Sequence, residues 1–297
     1  MIKMNEKNSK SILKKFIILA IFLGVIIITA EVDWAAEHPI VGLGFRYFWL
    51  ILLLSLGLIL PILFIYLAGG ENREHNESEK RFFIISVILF IIANGIPIIF
   101  YVILGISPGF FLYLQLILFG FIPAFFPGLS NNKLRIIMLV LLYIVIILPI
   151  GILVNLSITE IWAGATDKTF YYLSFWGLLM SFFYLLIAIG WKLGGGSIRQ
   201  SWNIFVAGTV LQYSILEDFL YFFLNGQPLP GLWPWMENFV INLKQLFGRV
   251  PTNFDLLIFC IITSSIALFI LFDVHGYIWE ELKVLWRMIS KKEKKIK

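Results

Sequence analysis

Long apolar runs recur along the chain, and short polar clusters separate them. A helix needs about 20 mostly apolar residues to cross the hydrocarbon core of a bilayer, because backbone amides cannot be left unpaired there. Eight runs meet or approach that length, at residues 12–30, 47–68, 82–104, 110–126, 134–156, 171–191, 202–224 and 256–272. The pattern predicts an all-α, polytopic membrane bundle with about eight transmembrane helices, forming a single membrane domain over residues 1–297.

The fourth run, residues 110–126, is the shortest. Pro108, Pro123 and Pro127 bracket or interrupt it. Proline breaks the hydrogen-bond ladder of a helix, so a broken or re-entrant segment is the alternative to a full crossing here.

The composition agrees with a membrane protein. Hydrophobic residues make up 60% of the chain and charged residues only 14%, whereas soluble domains carry roughly 25% charged residues. The single cysteine, Cys260, rules out an intrachain disulfide and a site with several thiolate ligands. No cofactor is indicated. The first run is similar to a signal peptide, but the bulky Ile28 disfavours cleavage after Ala30, which predicts a retained first helix.

The positive charges predict an orientation. In the eight-span arrangement, nineteen of the 23 lysines and arginines fall on one side, and only Arg46, Lys168, Lys244 and Arg249 fall on the other. Cytoplasmic loops retain positive charge, so both termini are expected in the cytoplasm, with the protein in a prokaryotic plasma membrane. This distribution forms no basic face for nucleic acid.

Two segments outside the runs are amphipathic. Residues 235–248 predict a helix lying flat on the outer leaflet, either as a lid over the seventh run or as a simple loop anchor. Residues 273–297 predict a cytoplasmic basic tail that includes an amphipathic helix. Anionic lipids are the expected partner of this tail, although it also fits an ordinary cytoplasmic terminus.

Two adjacent acids, Glu217 and Asp218, lie within the seventh run. A charge at the centre of a membrane helix costs about 2.5–3.5 kcal/mol, so acids in such a run indicate a structural or functional role. On a continuous helix, six polar side chains of this segment fall within an arc of about 140°, and the opposite side is almost wholly apolar. They are Tyr213, Ser214, Glu217, Asp218, Tyr221 and Asn225. This stripe is expected to face the bundle interior or a water-filled cavity.

The acidic pair fits several roles. It could bind a cation or a proton, ligate a metal, or act as general acid and base. The structural alternative pairs an acid with Arg46, which begins the second run on the same side, or with tyrosine hydroxyls. The ligand- or ion-binding candidates are therefore Glu217, Asp218, Tyr213, Tyr221, Asn225 and Arg46.

The first outer loop is predicted to contain Glu31, Asp33, Glu37 and His38. These residue types could hold a divalent cation together with Glu217 and Asp218. Their spacing matches no specific metal site, and solvated loop charge is the ordinary interpretation, so they are weak metal candidates.

Three functions remain open. The first is binding or transport of a small solute, cation or lipid through an acidic pocket on the seventh span near the outer face. The second is an intramembrane enzyme acting on a lipid or prenyl substrate, with Glu217 or Asp218 in the chemistry. The third is a scaffold or assembly subunit in which the acids hold helices together.

Overall fold

The computed structural model describes residues 6–69, 77–104, 112–129, 131–233, 243, 247–279 and 282–283. These residues are helical apart from turns, connecting segments and one isolated bridge between Leu232 and Thr252. The helices are α1 (Glu6–Glu37), α2 (Gly42–Ala68), α3 (Glu77–Leu104), α4 (Leu112–Ala124), α5 (Asn132–Trp162), α6 (Thr169–Leu193), α7 (Ile198–Gln212), α8 (Leu216–Leu224) and α9 (Asn253–Leu271).

Five stretches of the described chain are long and apolar enough to cross a membrane. They are Ser11–Glu37, Pro39–Ala68, Asn132–Trp162, Thr169–Leu193 and Asn253–Leu271. They coincide with the first, second, fifth, sixth and last predicted runs. The protein is thus an all-helical chain compatible with a membrane-embedded fold, and the prediction of eight crossings goes beyond these five helices.

Helix α6 is the centre of the bundle. Of its most apolar 18 residues, 78% are buried within the protein, against 22–39% in the other four membrane-length helices. It packs most extensively against α2 and also contacts α4, α5 and α7. The outward faces of α2, α5 and α9 expose large apolar side chains such as Ile51, Val145 and Ile261, as expected of helices that face acyl chains.

Glycine allows α2 and α6 to approach closely. A Cβ added to Gly190 would lie 2.1 Å from the carbonyl oxygen of Pro61, and one added to Gly194 would lie 2.3 Å from that of Ile65. The two glycines are four residues apart and therefore lie on one face of the chain as α6 ends. Such small-residue spacing lets membrane helices pack backbone to backbone.

Polar contacts define two ends of the bundle. At one, the acidic end, Lys168 on the α5–α6 connection pairs with Glu37 at the end of α1. At the other, the basic end, Lys15 near the start of α1 donates to the carbonyl oxygen of Phe272 after α9, and Arg199 pairs with Asp273. Each contact joins residues that the sequence placed on the same side of a membrane.

Within the fourth run, the described residues form α4 (Leu112–Ala124), with Pro123 inside the helix. Two sequence predictions need correction. The seventh run is not one helix, because it breaks after Gln212 and resumes at Leu216. The segment expected to be the first outer loop is largely helical, because α1 continues to Glu37 and ends only where Pro39 disfavours helical geometry at His38.

The two amphipathic segments lie largely outside the described residues. This holds for most of the predicted outer helix, residues 235–248, and for residues 280–281 and 284–297 of the predicted basic tail.

Candidate functional site

A cavity of about 730 Å³ opens among α1, α6 and α8 at the acidic end. Its size suits a small organic molecule. Four carboxylates line it: Asp33, Glu37, Glu217 and Asp218. Six aromatic side chains line it as well: Trp34, Tyr172, Trp176, Tyr213, Tyr221 and Phe222. The cavity is therefore both acidic and aromatic, and we call it the acidic aromatic cavity.

Helix α1 contributes the first pair of carboxylates because it extends about two turns beyond its apolar run. Asp33 is buried and accepts a hydrogen bond from the Tyr171 hydroxyl at 2.7 Å. Tyr171 is itself buried at the start of α6, so this bond joins the two helices at the cavity wall. A buried carboxylate needs such a donor, because desolvating it without one is costly.

Glu37 is the best-satisfied carboxylate of the cavity. Its Oε1 lies 2.5 Å from Lys168 Nζ and accepts a hydrogen bond from the Tyr172 hydroxyl at 3.0 Å. Its Oε2 accepts a hydrogen bond from the Tyr221 hydroxyl, also at 3.0 Å. Lys168 is the one lysine or arginine among the described lining residues, and its charge is directed to Glu37. The described lining thus contains four carboxylates and one ammonium group.

Glu217 is the least satisfied carboxylate. Its side chain is only 2% exposed, and its Oε1 is buried without a hydrogen-bond partner among the described residues. Burying an ionisable oxygen without a hydrogen bond is unfavourable, and no interaction of this oxygen in the described part of the chain compensates for that free-energy cost. A buried acceptor that lines a cavity and lacks a donor indicates a place for a ligand that supplies one.

The break between α7 and α8 places Glu217 at the cavity. Tyr213 and Ser214 leave the helical path, and Ile215 has a φ of 69°, which is strained for a β-branched residue. Helix α8 then restarts, with Glu217 and Asp218 in its first turn. Carboxylates are favoured there because they face the positive end of the helix dipole. Backbone strain beside an acidic site is a common feature of functional sites.

Aromatic rings form one wall. Trp34 and His38, four residues apart on α1, stack with ring centroids 3.6 Å apart. Tyr221 meets Trp34 edge-on at 5.0 Å. His38 Nδ1 lies 3.0 Å from the Trp34 carbonyl oxygen, which makes Nδ1 the donor. Contacts between α1 and α8 form this wall.

The floor of the cavity is closed. Gln212, which lines it, accepts a hydrogen bond from the Tyr184 hydroxyl at 3.0 Å and donates one to Thr29 Oγ1 at 3.0 Å. Beneath these groups Phe22 packs edge-on against Tyr184, and both rings are fully buried. Among the described residues, the cavity is therefore bounded on this side by hydrogen-bonded and packed side chains.

Several sequence candidates are brought together and others are not. Tyr213, Tyr221, Glu217 and Asp218 line the cavity, as do Asp33, Glu37 and His38 from the predicted loop. Glu31, Asn225 and Arg46 are not among the described lining residues. Asn225 donates to the Tyr221 carbonyl oxygen at the end of α8, where it satisfies the helix terminus.

Arg46 has a different partner from the one expected. Its Nη2 donates to Asn155 Oδ1 at 2.5 Å and to Thr159 Oγ1 at 2.7 Å, and its guanidinium lies over the Trp162 ring. These bonds join α2 to α5. Arg46 thus stabilises helix packing and does not neutralise the acidic pair.

Other lining groups were missed by sequence reasoning. Trp34 lies four residues before His38, so the two side chains share one face of a helix. This was missed because the segment was predicted to be a loop. Lys168 was one of only four basic residues predicted on this side, and this scarcity could have identified it as a partner for the acids. Nothing in the sequence distinguishes the other three lining residues, Tyr172, Trp176 and Gln212, from the apolar or weakly polar positions of any membrane helix.

In the part of the chain that the structure describes, no group of three or more histidine, cysteine or acidic side chains is arranged to hold a metal ion. Comparisons with protein-family models, with curated proteins and with solved structures gave no match for this chain. The site is therefore interpreted from its own geometry.

Proposed function

We propose that the protein is a membrane-embedded binding protein or transporter for a small organic cation, which occupies the acidic aromatic cavity. The observation that carries this proposal is the buried Glu217 oxygen, which has no hydrogen-bond partner among the described residues, in a cavity whose described lining includes four carboxylates and one lysine. A ligand ammonium would supply the donor that this oxygen lacks there.

The aromatic wall supports an organic cation over a bare metal ion. Tryptophan and tyrosine faces attract ammonium groups by about 0.5–2 kcal/mol each, and they also bury the apolar part of such a ligand. A metal ion would need several oxygen or nitrogen ligands at short distances. A cavity of about 730 Å³ is far larger than such a coordination shell.

The contacts of Glu217 do not support the scaffold alternative. An acid that holds helices together is expected to accept hydrogen bonds from its neighbours, as Asp33 does from Tyr171. Glu217 Oε1 accepts none from the described residues. A ligand-binding role accounts for this oxygen, and a structural role does not.

We further propose the orientation that the charge distribution predicts. In this proposal the chain crosses the cell membrane eight times with both termini in the cytoplasm, and the acidic end faces outward. The basic tail then lies at the inner leaflet, where anionic lipids would attract it. A permanently charged ligand would enter the cavity from the outside.

Transport would require the closed floor to open. The break at Tyr213–Ile215 separates the two helices that contribute Gln212 and Glu217, so rotation of α8 against α7 would uncouple the cavity from its floor. Broken helices serve this purpose in many transporters. The structure then corresponds to a state closed toward the basic end.

The proposal is tested by equilibrium binding to the purified full-length protein. Benzyltrimethylammonium should bind saturably, and at least about 10-fold more tightly than neutral N,N-dimethylbenzamide, which corresponds to ~1.4 kcal/mol of charge recognition. Isothermal titration calorimetry measures both. Equal affinities, or no saturable binding of the cation, would contradict an organic-cation site.

A further inference from the structure

A second cavity lies at the basic end, between the start of α1, the ends of α2, α6 and α9, and the first turns of α7. Its volume is about 420 Å³. Lys14 and Lys15 line it, together with Ser11, Trp191, Asn203 and Asp273. We call it the basic-end cavity. Its described lining contains two lysines and one carboxylate, whereas that of the acidic aromatic cavity contains four carboxylates and one lysine.

Two lysines bring positive charge to the wall of this cavity. Lys14 Nζ donates to the Ala68 carbonyl oxygen at 3.2 Å, and Lys15 Nζ donates to that of Phe272 at 2.7 Å. Each ammonium has three donors, so these bonds to helix ends leave further N–H groups for a ligand. Both bonds also fix the ammonium groups at the cavity wall.

Asp273 is already engaged. Its Oδ1 lies 2.7 Å from Arg199 Nη2 and accepts a hydrogen bond from Asn203 Nδ2 at 3.2 Å. His275 Nε2 lies 3.4 Å from the same oxygen. The aspartate is therefore paired with Arg199, and Lys14 and Lys15 are the positively charged groups of the described lining that a ligand would meet.

Two buried polar atoms of the cavity residues lack partners in the described part of the chain. Trp191 Nε1 is a donor, and Asn203 Oδ1 is an acceptor. The amide orientation of Asn203 follows from its neighbour, because the carboxylate of Asp273 can only accept. Both side chains are more than nine-tenths buried, at 5% and 3% exposed. Buried polar groups are rarely left unpaired, so these atoms indicate a ligand with complementary groups.

We infer that the basic-end cavity binds a hydroxylated phosphate ester. The phosphate oxygens would accept hydrogen bonds from Lys14, Lys15 and Trp191, and a hydroxyl of the ligand would donate to Asn203 Oδ1. Two sources share this chemistry: the headgroup of phosphatidylglycerol and soluble glycerol phosphate. A basic pocket between membrane helices at one end of a bundle is typical of anionic headgroup sites. The inference does not depend on the cation site.

The test compares two variants of one residue that differ only in charge. Ser11 is exposed at the rim, so glutamate or glutamine can replace it without loss of packing. Ser11→Gln is the reference variant, because glutamine adds the same bulk as glutamate without a charge. Ser11→Glu should bind short-chain phosphatidylglycerol at least about 10-fold more weakly than Ser11→Gln in the full-length protein. Lys14→Gln should do the same, whereas Lys133→Gln, at an exposed lysine on α5, should have no effect.

The probes are phosphatidylglycerol, phosphatidylcholine and sn-glycerol 3-phosphate, measured by native mass spectrometry and by the shift in melting temperature. Preference for phosphatidylglycerol over phosphatidylcholine, sensitive to Ser11→Glu, identifies a lipid headgroup. Saturable binding of glycerol phosphate with the same sensitivity identifies a soluble ester. Equal binding of the two lipids without any glycerol phosphate binding, or identical behaviour of the Ser11→Glu and Ser11→Gln variants, would overturn the inference.

Discussion

Glu217→Gln should weaken benzyltrimethylammonium binding at least about 30-fold, a loss of ~2 kcal/mol. Removing one partner of a buried ion pair typically costs 2–5 kcal/mol of affinity. Among the lining carboxylates, Asp33 and Glu37 already accept hydrogen bonds from the protein, whereas Glu217 Oε1 accepts none from the described residues. Its charge is therefore available to the ligand. Calorimetric titration of the variant measures the change.

The same variant separates binding from structure. Glutamine matches glutamate in shape, and the Glu217 Oε1 bond that a structural role would require is absent from the described contacts. The melting temperature should therefore stay level or rise, because an uncompensated buried charge has been removed. Glu160→Gln is the matched control, since Glu160 is exposed at the same end of the bundle, and it should not change affinity. A fall in melting temperature with unchanged affinity would favour the scaffold.

Gly190→Ala should destabilise the protein by about 3 kcal/mol. The new methyl group would meet three backbone atoms of Pro61 within about 3 Å, and backbone cannot move aside as a flexible side chain can. Overpacking of this kind costs about 1–3 kcal/mol even where side chains can adjust. Because α2 and α6 form the most extensive helix contact in the described part of the chain, we expect a lower melting temperature and less monodisperse protein on gel filtration.

Gly24→Ala is the control for that prediction. Gly24 lies inside α1, and an added Cβ would meet nothing within 4 Å. Alanine is the better helix former by about 1 kcal/mol, so this variant should be neutral or slightly stabilised. Equal melting temperatures for the two variants would show that the close approach of α2 and α6 does not hold the bundle together.

The helices that the sequence predicts best are those with uninterrupted apolar runs. Five such runs form helices long enough to cross a membrane, because length and apolarity alone select them. The break in the run at residues 202–224 could not be predicted. It contains neither proline nor glycine at Tyr213–Ile215, and Ile215 is a poor residue for positive φ. Tertiary contacts, such as the bond from the Tyr213 hydroxyl to the Trp176 carbonyl oxygen at 2.5 Å, stabilise that break.

The site was predicted in part for the same reason. Glu217 and Asp218 stand out because acids are rare in membrane helices. Asp33 and Glu37 were named as weak metal candidates in a loop, but they lie on a helix, because the three acids between Glu31 and Glu37 interrupt the apolar run without ending α1. Their hydrogen bonds to Tyr171 and Tyr221 join segments more than 130 residues apart, and no local pattern reveals such pairs.

Photoaffinity labelling tests the central claim most directly. An azidobenzyl-trimethylammonium probe, applied from outside to right-side-out membrane vesicles, carries a permanent charge and does not cross the bilayer. We predict labelled peptides from residues 33–38, 168–176 and 212–222, the segments that line the acidic aromatic cavity, with labelling blocked by excess benzyltrimethylammonium. Labelling that spreads over other segments, or that excess cation fails to block, would contradict a cation site in this cavity.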